Sequence, residues 1–276
     1  MDLICKMCGK PFQSERSKRQ FCSVACRNRA NNAGYQQRLS DKPVSIVWAC
    51  GGGVQSAAIA ALIVSSQLPK PTLAFMTDTG WEQTSTMQYV HDVIQPRLAS
   101  VGVELAIIKT VDYTTNALFD SSGHVVLPAY RYFDGKAVKF NTHCNGTWKL
   151  QPARRWMREQ GVQRCENWIG ISHDERHRRR RSNVKWCQNA YPLVERGLTR
   201  EDCLHLLGSA GWPKPEHSSC IICPLKRTDQ WLLMKKHFPM DWKRAIEAEK
   251  AIQKSYPDVY LHRSMRPLSE LAIDKG

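Results

Sequence analysis

The sequence predicts an α/β fold in which a parallel sheet carries helices on both faces. Residues 44–50, VSIVWAC, form a short apolar run rich in β-branched residues, which is typical of a buried strand. Three glycines follow, and then an Ala-rich run from Ser56 that is typical of a helix. A strand over 72–78, an amphipathic helix over 84–100 and a strand over 104–110 continue the same alternation, as expected of a parallel sheet.

Length and composition bound the architecture. The 276 residues, 42% of them hydrophobic, suffice for one large α/β domain beside a small module. No run of 18 apolar residues is present, and the first ten residues, MDLICKMCGK, lack the apolar stretch of a signal peptide. We therefore expect a cytoplasmic protein.

The net charge indicates a polyanionic partner, and the cysteine content indicates metal binding or redox chemistry. The net charge of +15 favours a polyanionic partner, with a generally basic surface as the alternative. The cysteines number eleven, and several form closely spaced pairs. This usage is typical of metal or redox chemistry rather than disulfides.

Two cysteine pairs lie near the N-terminus. Cys5 and Cys8 form CxxC, and Cys22 and Cys26 form CxxxC. Four thiolates at this spacing predict a tetrahedral, structural zinc site. The segment over residues 1–32 resembles a small zinc-ribbon or treble-clef-like module in its Cys-xx-Cys-Gly-Lys-x-Phe and Phe-Cys-Ser-xx-Cys pattern. The surrounding lysines and arginines favour contacts with a nucleic-acid backbone, although a solvated basic surface is the alternative. Residues 30–43 are polar and lack periodicity, which predicts a linker.

The glycines after the first strand predict a phosphate-binding loop. A strand, a glycine loop and a helix N-terminus direct backbone N–H groups and the helix dipole toward an anion. An ordinary βα turn is the alternative, because neither GxGxxG nor a Walker-type loop is present. Asp78, Thr79 and Gly80 follow the second strand, where α/β sheets gather ligand groups; a plain turn is the alternative there.

The second half of the chain adds an insertion, an arginine cluster and a helical region. Residues 119–140 predict a hairpin or flexible insertion. A strand over 167–172 precedes five arginines that predict contact with phosphates, or else a solvated loop: Arg176, Arg178, Arg179, Arg180 and Arg181. Thr199 and Asp202 predict a helix cap. The region 201–276 is predicted to be helical, with Pro239 dividing a long stretch over 231–253.

Two motifs resemble the ATP pyrophosphatase and PAPS reductase superfamily. GGGVQS (51–56) resembles its pyrophosphate loop, SGGxDS, with Gly51 in place of the first serine and Gln55 in place of the aspartate. TLAFMTDTGWEQTST (72–86) resembles the segment that ends a second strand with Asp-Thr-Gly. The resemblance covers about residues 44–270 and is strongest to phage- and bacteria-encoded PAPS-reductase-like proteins, including the iron–sulfur component of DNA phosphorothioation systems.

This resemblance implies a fold and a nucleotide site. The fold is Rossmann-like, of the HUP type, with a nucleotide-binding domain over 44–200. ATP would be cleaved between its α and β phosphates with the help of Mg²⁺, adenylating an acceptor. The implied nucleotide-binding residues are Gly51, Gly52, Gly53, Gln55, Ser56, Asp78, Thr79 and Gly80. The implied catalytic residues are Asp78, Lys149 and Arg178.

The resemblance also implies an iron–sulfur site. HCNGTWKLQP (143–152) resembles the Cys-Cys-xx-Arg-Lys-xx-Pro-Leu segment of iron–sulfur APS reductases, with Cys144 at the first cysteine and Asn145 at the second. Cys220 and Cys223 resemble the late CxxC of these enzymes. A [4Fe-4S] cluster takes four ligands, or three with an exchangeable position. Cys203 is predicted as the fourth ligand, with Cys187 as the alternative, and zinc is the competing metal.

We therefore expect an ATP-dependent nucleic-acid modifying enzyme, a sulfurtransferase acting on DNA or tRNA with a sulfur-donor protein as a further partner. Two alternatives remain. An APS or PAPS reductase is disfavoured because no cysteine follows Cys223, whereas those enzymes use one near the C-terminus. A non-catalytic nucleic-acid adaptor is the second alternative, which stays open because Gln55 replaces the loop aspartate.

Overall fold

The computed structural model describes residues 2–16, 18–110, 115–139 and 144–271. The chain begins with an antiparallel hairpin of β1 (Asp2–Ile4) and β2 (Pro11–Gln13), followed by helix α1 (Val24–Ser40). Ser23 caps α1 by accepting a hydrogen bond from the Cys26 N–H at 3.1 Å. In chain order the remaining elements are β3 (Val44–Ala49), α2 (Val54–Val64), β4 (Leu73–Asp78), α3 (Thr84–Tyr89), α4 (Gln95–Ala99), β5 (Leu105–Lys109), β6 (Tyr130–Phe133), β7 (Lys136–Lys139), α5 (Gln151–Glu159), β8 (Arg164–Ile169), β9 (Cys187–Ala190), α6 (Pro192–Glu195), α7 (Arg200–Ser209), α8 (Thr228–His237) and α9 (Pro239–Ser255).

The linker prediction for residues 30–43 is wrong for most of its length, because residues 30–40 continue α1. The segment contains two alanines, two glutamines and one arginine, which favour a helix without creating an apolar stripe. Leu39 is buried and Tyr35 packs beside it in the core cluster that also contains Val47 and Met157. The helix therefore ends on the sheet domain rather than in a free connection.

Five parallel strands form the central sheet in the order β5-β4-β3-β8-β9. Successive residues of β3 point to opposite faces. Trp48 packs under α2 and α7 with Ile59 and Leu207, whereas Val47 packs on the other face with Met157 of α5. The predicted α/β fold, with helices on both faces of a parallel sheet, is confirmed.

The topology places a crevice between β3 and β8. From β3 the chain first builds β4 and β5 on one side, and it later returns to build β8 and β9 on the other. Ligands of open α/β sheets bind at the carboxyl ends of strands where the order reverses in this way. The glycine loop that follows β3 lies at this reversal.

The C-terminal helices and the insertion share a second core. Trp231 of α8, Ile252 of α9, Leu127 of the insertion and Trp81 after β4 belong to one buried cluster. β6 and β7 form the hairpin predicted within 119–140, and Pro239 opens α9 where a break was predicted. No helix within the described ranges is both long enough and apolar enough to cross a lipid bilayer.

Candidate nucleotide and cysteine sites

The glycine loop presents an open helix N-terminus. Gly51 N–H donates to Ser56 Oγ at 2.9 Å, so the Ser56 side chain closes the loop from inside and is buried. Gly53 occupies the N-cap of α2, and no side chain among the described residues caps this end. The first N–H groups of α2 therefore remain available to an anion, which the helix dipole also attracts.

Close approaches favour glycine at three positions around this loop. Gly52 has a φ of +69°, and a Cβ there would lie 2.6 Å from Thr86 Cγ2. A Cβ on Gly53 would lie 2.6 Å from Ser218 Oγ. Gly170, directly after β8, approaches α2 so closely that its Cβ would lie 3.2 Å from the Ser56 backbone nitrogen. The absence of a side chain at Gly170 thus lets the end of β8 lie directly against the first turn of α2.

The Gln55 side chain forms hydrogen bonds with one acidic and one basic side chain. Its Nε2 donates to Glu175 Oε2 at 3.1 Å, and its Oε1 accepts from Arg200 Nη1 at 3.1 Å. Arg178 forms an ion pair with Glu175 Oε1 at 2.8 Å, which ties one arginine of the predicted cluster to the loop. Arg200 was not anticipated from the sequence, although it lies within the confirmed Thr199–Asp202 capping box, directly after Thr199.

A polar cavity of about 650 Å³ adjoins this network. Glu175 and Arg200 line it together with residues from the segment before Cys220 and from α8. Three basic side chains face it, Arg200, Lys214 and Arg227, and three acidic ones oppose them: Glu175, Glu216 and Asp229. The cavity extends the crevice outward from the glycine loop.

Asp78, Thr79 and Gly80 form a turn at the end of β4. Asp78 Oδ1 accepts from Gly80 N–H at 2.8 Å, and Gly80 has a positive φ of 71°. Thr79 is fully buried and donates to Glu82 Oε1 at 3.1 Å. Asp78 therefore shapes the turn, while the Thr79 hydroxyl faces the cysteine pair rather than the glycine loop.

Cys220 lies against this turn. Its Sγ is 3.8 Å from Thr79 Oγ1 and 3.6 Å from Glu82 Oε1. The same carboxylate oxygen pairs with Lys149 Nζ at 2.9 Å. Burial works against the Lys149 charge, but Glu82 more than offsets it and the pKa of Lys149 is raised. Lys149 thus belongs to the cysteine site.

A second cation, Lys226, was not anticipated from the sequence. Its side chain is buried and donates to two neutral oxygens, Gln83 Oε1 at 3.3 Å and Ser219 Oγ. Burial lowers its pKa. A buried ammonium needs a compensating negative charge. Cys220 and Cys223 are the groups that act most strongly in favour of its charge.

Three cysteines share this region, and burial keeps two of them as thiols. Burial, followed by Glu82, raises the pKa of Cys220 to about 12, and burial likewise raises the pKa of Cys223. Cys144 packs against the same buried cluster as Cys220, and its charge adds to the upward shift of the Cys223 pKa. Bound metal is the usual means of converting such thiols to thiolates.

The structure does not bring Cys203 to these three, which corrects the ligand set expected from the sequence. Cys203 is completely buried in the first core cluster beneath α2. Its place in the first turn of α7 points it inward, toward the sheet. Cys187 is also elsewhere, directly opposite Cys165 in the pairing of β8 with β9.

The four N-terminal cysteines converge as predicted. The Sγ atoms of Cys5, Cys8, Cys22 and Cys26 all lie within 4.8 Å of one another. Gly9, with a φ of +69°, closes the first turn by donating its N–H to Cys5 O at 2.9 Å. Cys26 enters from the first turn of α1. The arrangement fits one tetrahedral ion with four thiolate ligands.

Comparison with known proteins gives no family model and no curated protein that matches the chain. Among solved structures, the chain is similar to the U34-tRNA thiolase NcsA from Methanococcus maripaludis with its [4Fe-4S] cluster. The identity is 15%, the match covers 91% of this chain and 87% of that chain, and the TM-score is 0.43. It is also similar to the phosphoadenylyl-sulfate reductase from Candida auris in a phosphate complex, at 13% identity over 70% of this chain and 90% of that one, with a TM-score of 0.37.

Proposed function

We propose that this chain is an ATP-dependent nucleic-acid modifying enzyme, a sulfurtransferase that adenylates its acceptor and carries a [4Fe-4S] cluster. The observation that carries the proposal is the contact between the glycine loop and the cysteine segment. Ser218 packs on Gly53, and Cys220 follows two residues later. A site suited to phosphates and a site suited to thiolate-bound metal are thereby built side by side.

The glycine loop would hold the leaving group. The open N–H groups of α2 and the Arg200 guanidinium would bind the β and γ phosphates of ATP. An acceptor oxygen attacks the α-phosphorus, its proton leaves to water, and the bond from the α-phosphorus to the bridging oxygen breaks. The negative charge then grows on pyrophosphate, where these donors are strongest.

Magnesium would be held chiefly by phosphate oxygens, as is usual for this ion. Gln55 supplies no carboxylate, but Glu175 lies one hydrogen bond away at 3.1 Å and remains partly exposed. We assign Glu175 as the carboxylate nearest the metal. Arg178, which pairs with Glu175, would keep that side chain in position.

The cysteine site fits an anionic cluster on three thiolates. Cys144, Cys220 and Cys223 would be its ligands, and the fourth iron position would be exchangeable. Lys149 and Lys226 provide the positive charge that a buried anionic group requires. When bound, such a cluster would supply an iron position able to hold sulfur near the activated acceptor. Zinc in the N-terminal module would be structural, since its four positions are all filled by cysteine.

The residues of the chain itself then have defined roles. Asp78 fixes the turn after β4, and Thr79 and Glu82 orient Cys220 and Lys149. Sulfide released by a donor protein would attack the adenylated position and form the new bond to sulfur, while the bond to the adenylated oxygen breaks and that oxygen leaves as part of AMP, so no oxidant or reductant is needed. The products of one turnover would be AMP, pyrophosphate and a thiolated acceptor.

Product analysis tests this proposal. The protein, prepared without oxygen, is incubated with Mg-ATP and either duplex DNA or tRNA, and the nucleotides are separated. AMP with an equal amount of pyrophosphate is expected. ADP with phosphate, or no turnover on any acceptor, would contradict the proposal, and the second result would favour the adaptor alternative. An Arg200→Ala variant should lose most of the activity, while Arg196→Ala, outside the loop network, should retain it.

A further inference from the structure

Helix α1 is exposed along nearly its whole length. It has 17 residues, of which Cys26 at one end and Leu39 at the other are the two buried ones. Such a helix measures about 25 Å. Isolated polar helices are marginal in water, and this one is anchored by Cys26 at one end and by Leu39, with Tyr35 packed beside it, at the other. The rest of the helix leaves a long, exposed polar surface.

The composition of α1 matches a nucleic-acid partner. Between Val24 and Ser40 the helix contains three arginines, three asparagines and two glutamines, with no acidic residue. Residues 1–43 as a whole carry nine lysines and arginines against three acidic residues. Arg, Asn and Gln are the side chains that hydrogen-bond to base edges, and cations neutralise phosphates.

One face of α1 can be identified from its neighbours. Arg27, Asn31, Gly34 and Arg38 recur at the spacing of one helix face, and Arg38 Nη1 lies 3.6 Å from the position of a Gly34 Cβ. Arg27 also lines a cavity of about 1050 Å³ between α1 and the loop after β2. This face therefore continues directly into the cavity.

Two cations of that loop extend the same surface. Arg16 and Lys18 line the cavity, and no hydrogen bond or ion pair to described residues engages their side chains or that of Arg27. Arg19 differs, because its guanidinium donates to Phe21 O at 3.0 Å and Cys22 O at 3.1 Å. Arg16, Lys18 and Arg27 are thus available to phosphates, while Arg19 braces the loop.

We propose that α1 is a docking helix for duplex DNA, with the Arg27–Asn31–Arg38 face in the major groove and Arg16 and Lys18 on the flanking backbone. The B-form major groove admits an α-helix, whereas the major groove of A-form RNA is too deep and narrow for one. Asn31 is the amide of this face, and an asparagine pairs best with the edge of adenine. The inference rests on the proposed function for its acceptor and narrows that acceptor to DNA.

Binding of the full-length, zinc-loaded protein without ATP tests the inference. Fluorescence anisotropy would compare a DNA duplex of about 20 base pairs with an RNA duplex of the same sequence, which is long enough for α1. Tighter binding to DNA is expected. Arg27→Ala should weaken it about 10-fold and reduce the slope of log affinity against log salt by about one. Asn31→Ala should reduce the difference in binding affinity between duplexes with adenine in the contacted site and duplexes without it.

Arg29→Ala and Asn32→Ala are the matched controls, because they make the same changes on α1 outside the proposed face. Alanine favours helix at exposed positions, so all four variants should keep the fold and one zinc per chain. Equal or tighter binding to RNA, or equal losses for Arg27→Ala and Arg29→Ala, would overturn the inference. If DNA binding fails in these ways while AMP and pyrophosphate still form, the proposed function stands and the docking inference is wrong. If DNA binds as expected but no AMP forms, the docking inference stands and the proposed enzymatic function is wrong.

Discussion

Ser218 lies directly against Gly53: a Cβ atom added to Gly53 would be 2.6 Å from Ser218 Oγ and 3.4 Å from Ser218 Cβ. This contact joins the carboxyl edge of the sheet to the segment that carries Cys220 and Cys223. A second contact, between Thr79 and Cys220, joins the same segment to the end of β4. The two candidate sites are therefore coupled by packing, and a substitution in one site should change ligand binding at the other.

Gly53→Ala tests this coupling. The backbone of Gly53, with φ −98° and ψ −174°, suits alanine, so the added methyl group acts through Ser218 alone. ATP affinity should fall about 10-fold, or about 1.4 kcal/mol, with a loss of iron from the cysteine site. Calorimetric titration with ATP and iron analysis would measure both effects.

The double variant Gly53→Ala/Ser218→Gly should recover ATP affinity, because it removes the side chain that the new methyl group meets. Gly51→Ala is the control, since a Cβ at Gly51 would make an ordinary 3.5 Å contact with Ser56 Oγ. Failure of the double variant to recover would show that Gly53 acts by some route other than Ser218.

Gly52→Asp should abolish ATP binding. It places a carboxylate in the loop, next to Thr86, where negative phosphates are expected. Gly102→Asp is matched for backbone strain, because Gly102 has a φ of +76° but open space around it. Both variants should lose about 1 kcal/mol of stability from the left-handed backbone, and Gly52→Asp should lose more because its Cβ also meets Thr86 Cγ2, so folding of each variant is checked by circular dichroism. Gly102→Asp should bind ATP normally. Equal ATP affinity in the two variants would refute the loop assignment.

Cys220→Ala should remove iron and leave the N-terminal zinc in place. Cys203→Ala should retain iron, because that thiol is buried beneath α2, away from the cysteine site. The Cys203→Ala variant should lose only folding stability, about 1 kcal/mol, because the substitution leaves a small cavity. Metal analysis of both variants decides the ligand set, and iron loss in Cys203→Ala would restore the assignment made from sequence.

Glu175→Gln should raise the Mg²⁺ concentration needed for half-maximal AMP formation about 10-fold, because it removes the carboxylate next to Gln55. Glu216→Gln changes another carboxylate of the same cavity and should have little effect. An unchanged Mg²⁺ requirement in Glu175→Gln would show that the phosphates alone hold the ion.

Lys226→Met should stabilise the metal-free chain but weaken retention of the cluster. Burial lowers the Lys226 pKa below its ordinary value of 10.5, so the folded state binds this proton less tightly than the unfolded state. The stability of the metal-free protein should therefore increase with pH between the lowered pKa of Lys226 in the folded state and about 10.5. The Lys226→Met variant should not show this increase. Denaturant titrations at several pH values, with exposed Lys214→Met as control, would measure it.

Much of the fold follows from local pattern. The strand before the glycines, the strand ending at Asp78, the Thr199–Asp202 cap and the break at Pro239 are all set by residues close in sequence. Helix α1 was missed because its polar residues show no apolar periodicity, and its order comes from Cys26 and Leu39 at its ends.

The residues of the candidate sites could be predicted from the sequence only where they belong to a recognisable motif. The glycines and the cysteine pairs have recognisable spacing, but Lys226, Glu82 and Arg200 acquire their roles through contacts across 60 or more residues of sequence, such as Lys149 with Glu82 and Arg200 with Gln55. Cys203 illustrates the opposite error. Its distance along the chain suits the cysteine pair, yet the inward face of α7 carries it into the other core.

The most direct test of the account is the metal content of wild-type protein purified without oxygen. Iron, acid-labile sulfide and zinc would be measured per chain. About four irons, about four sulfides and one zinc per chain are expected. Two zincs and no iron would contradict this expectation, because the site of Cys144, Cys220 and Cys223 would then be structural and the case for sulfur transfer would fail.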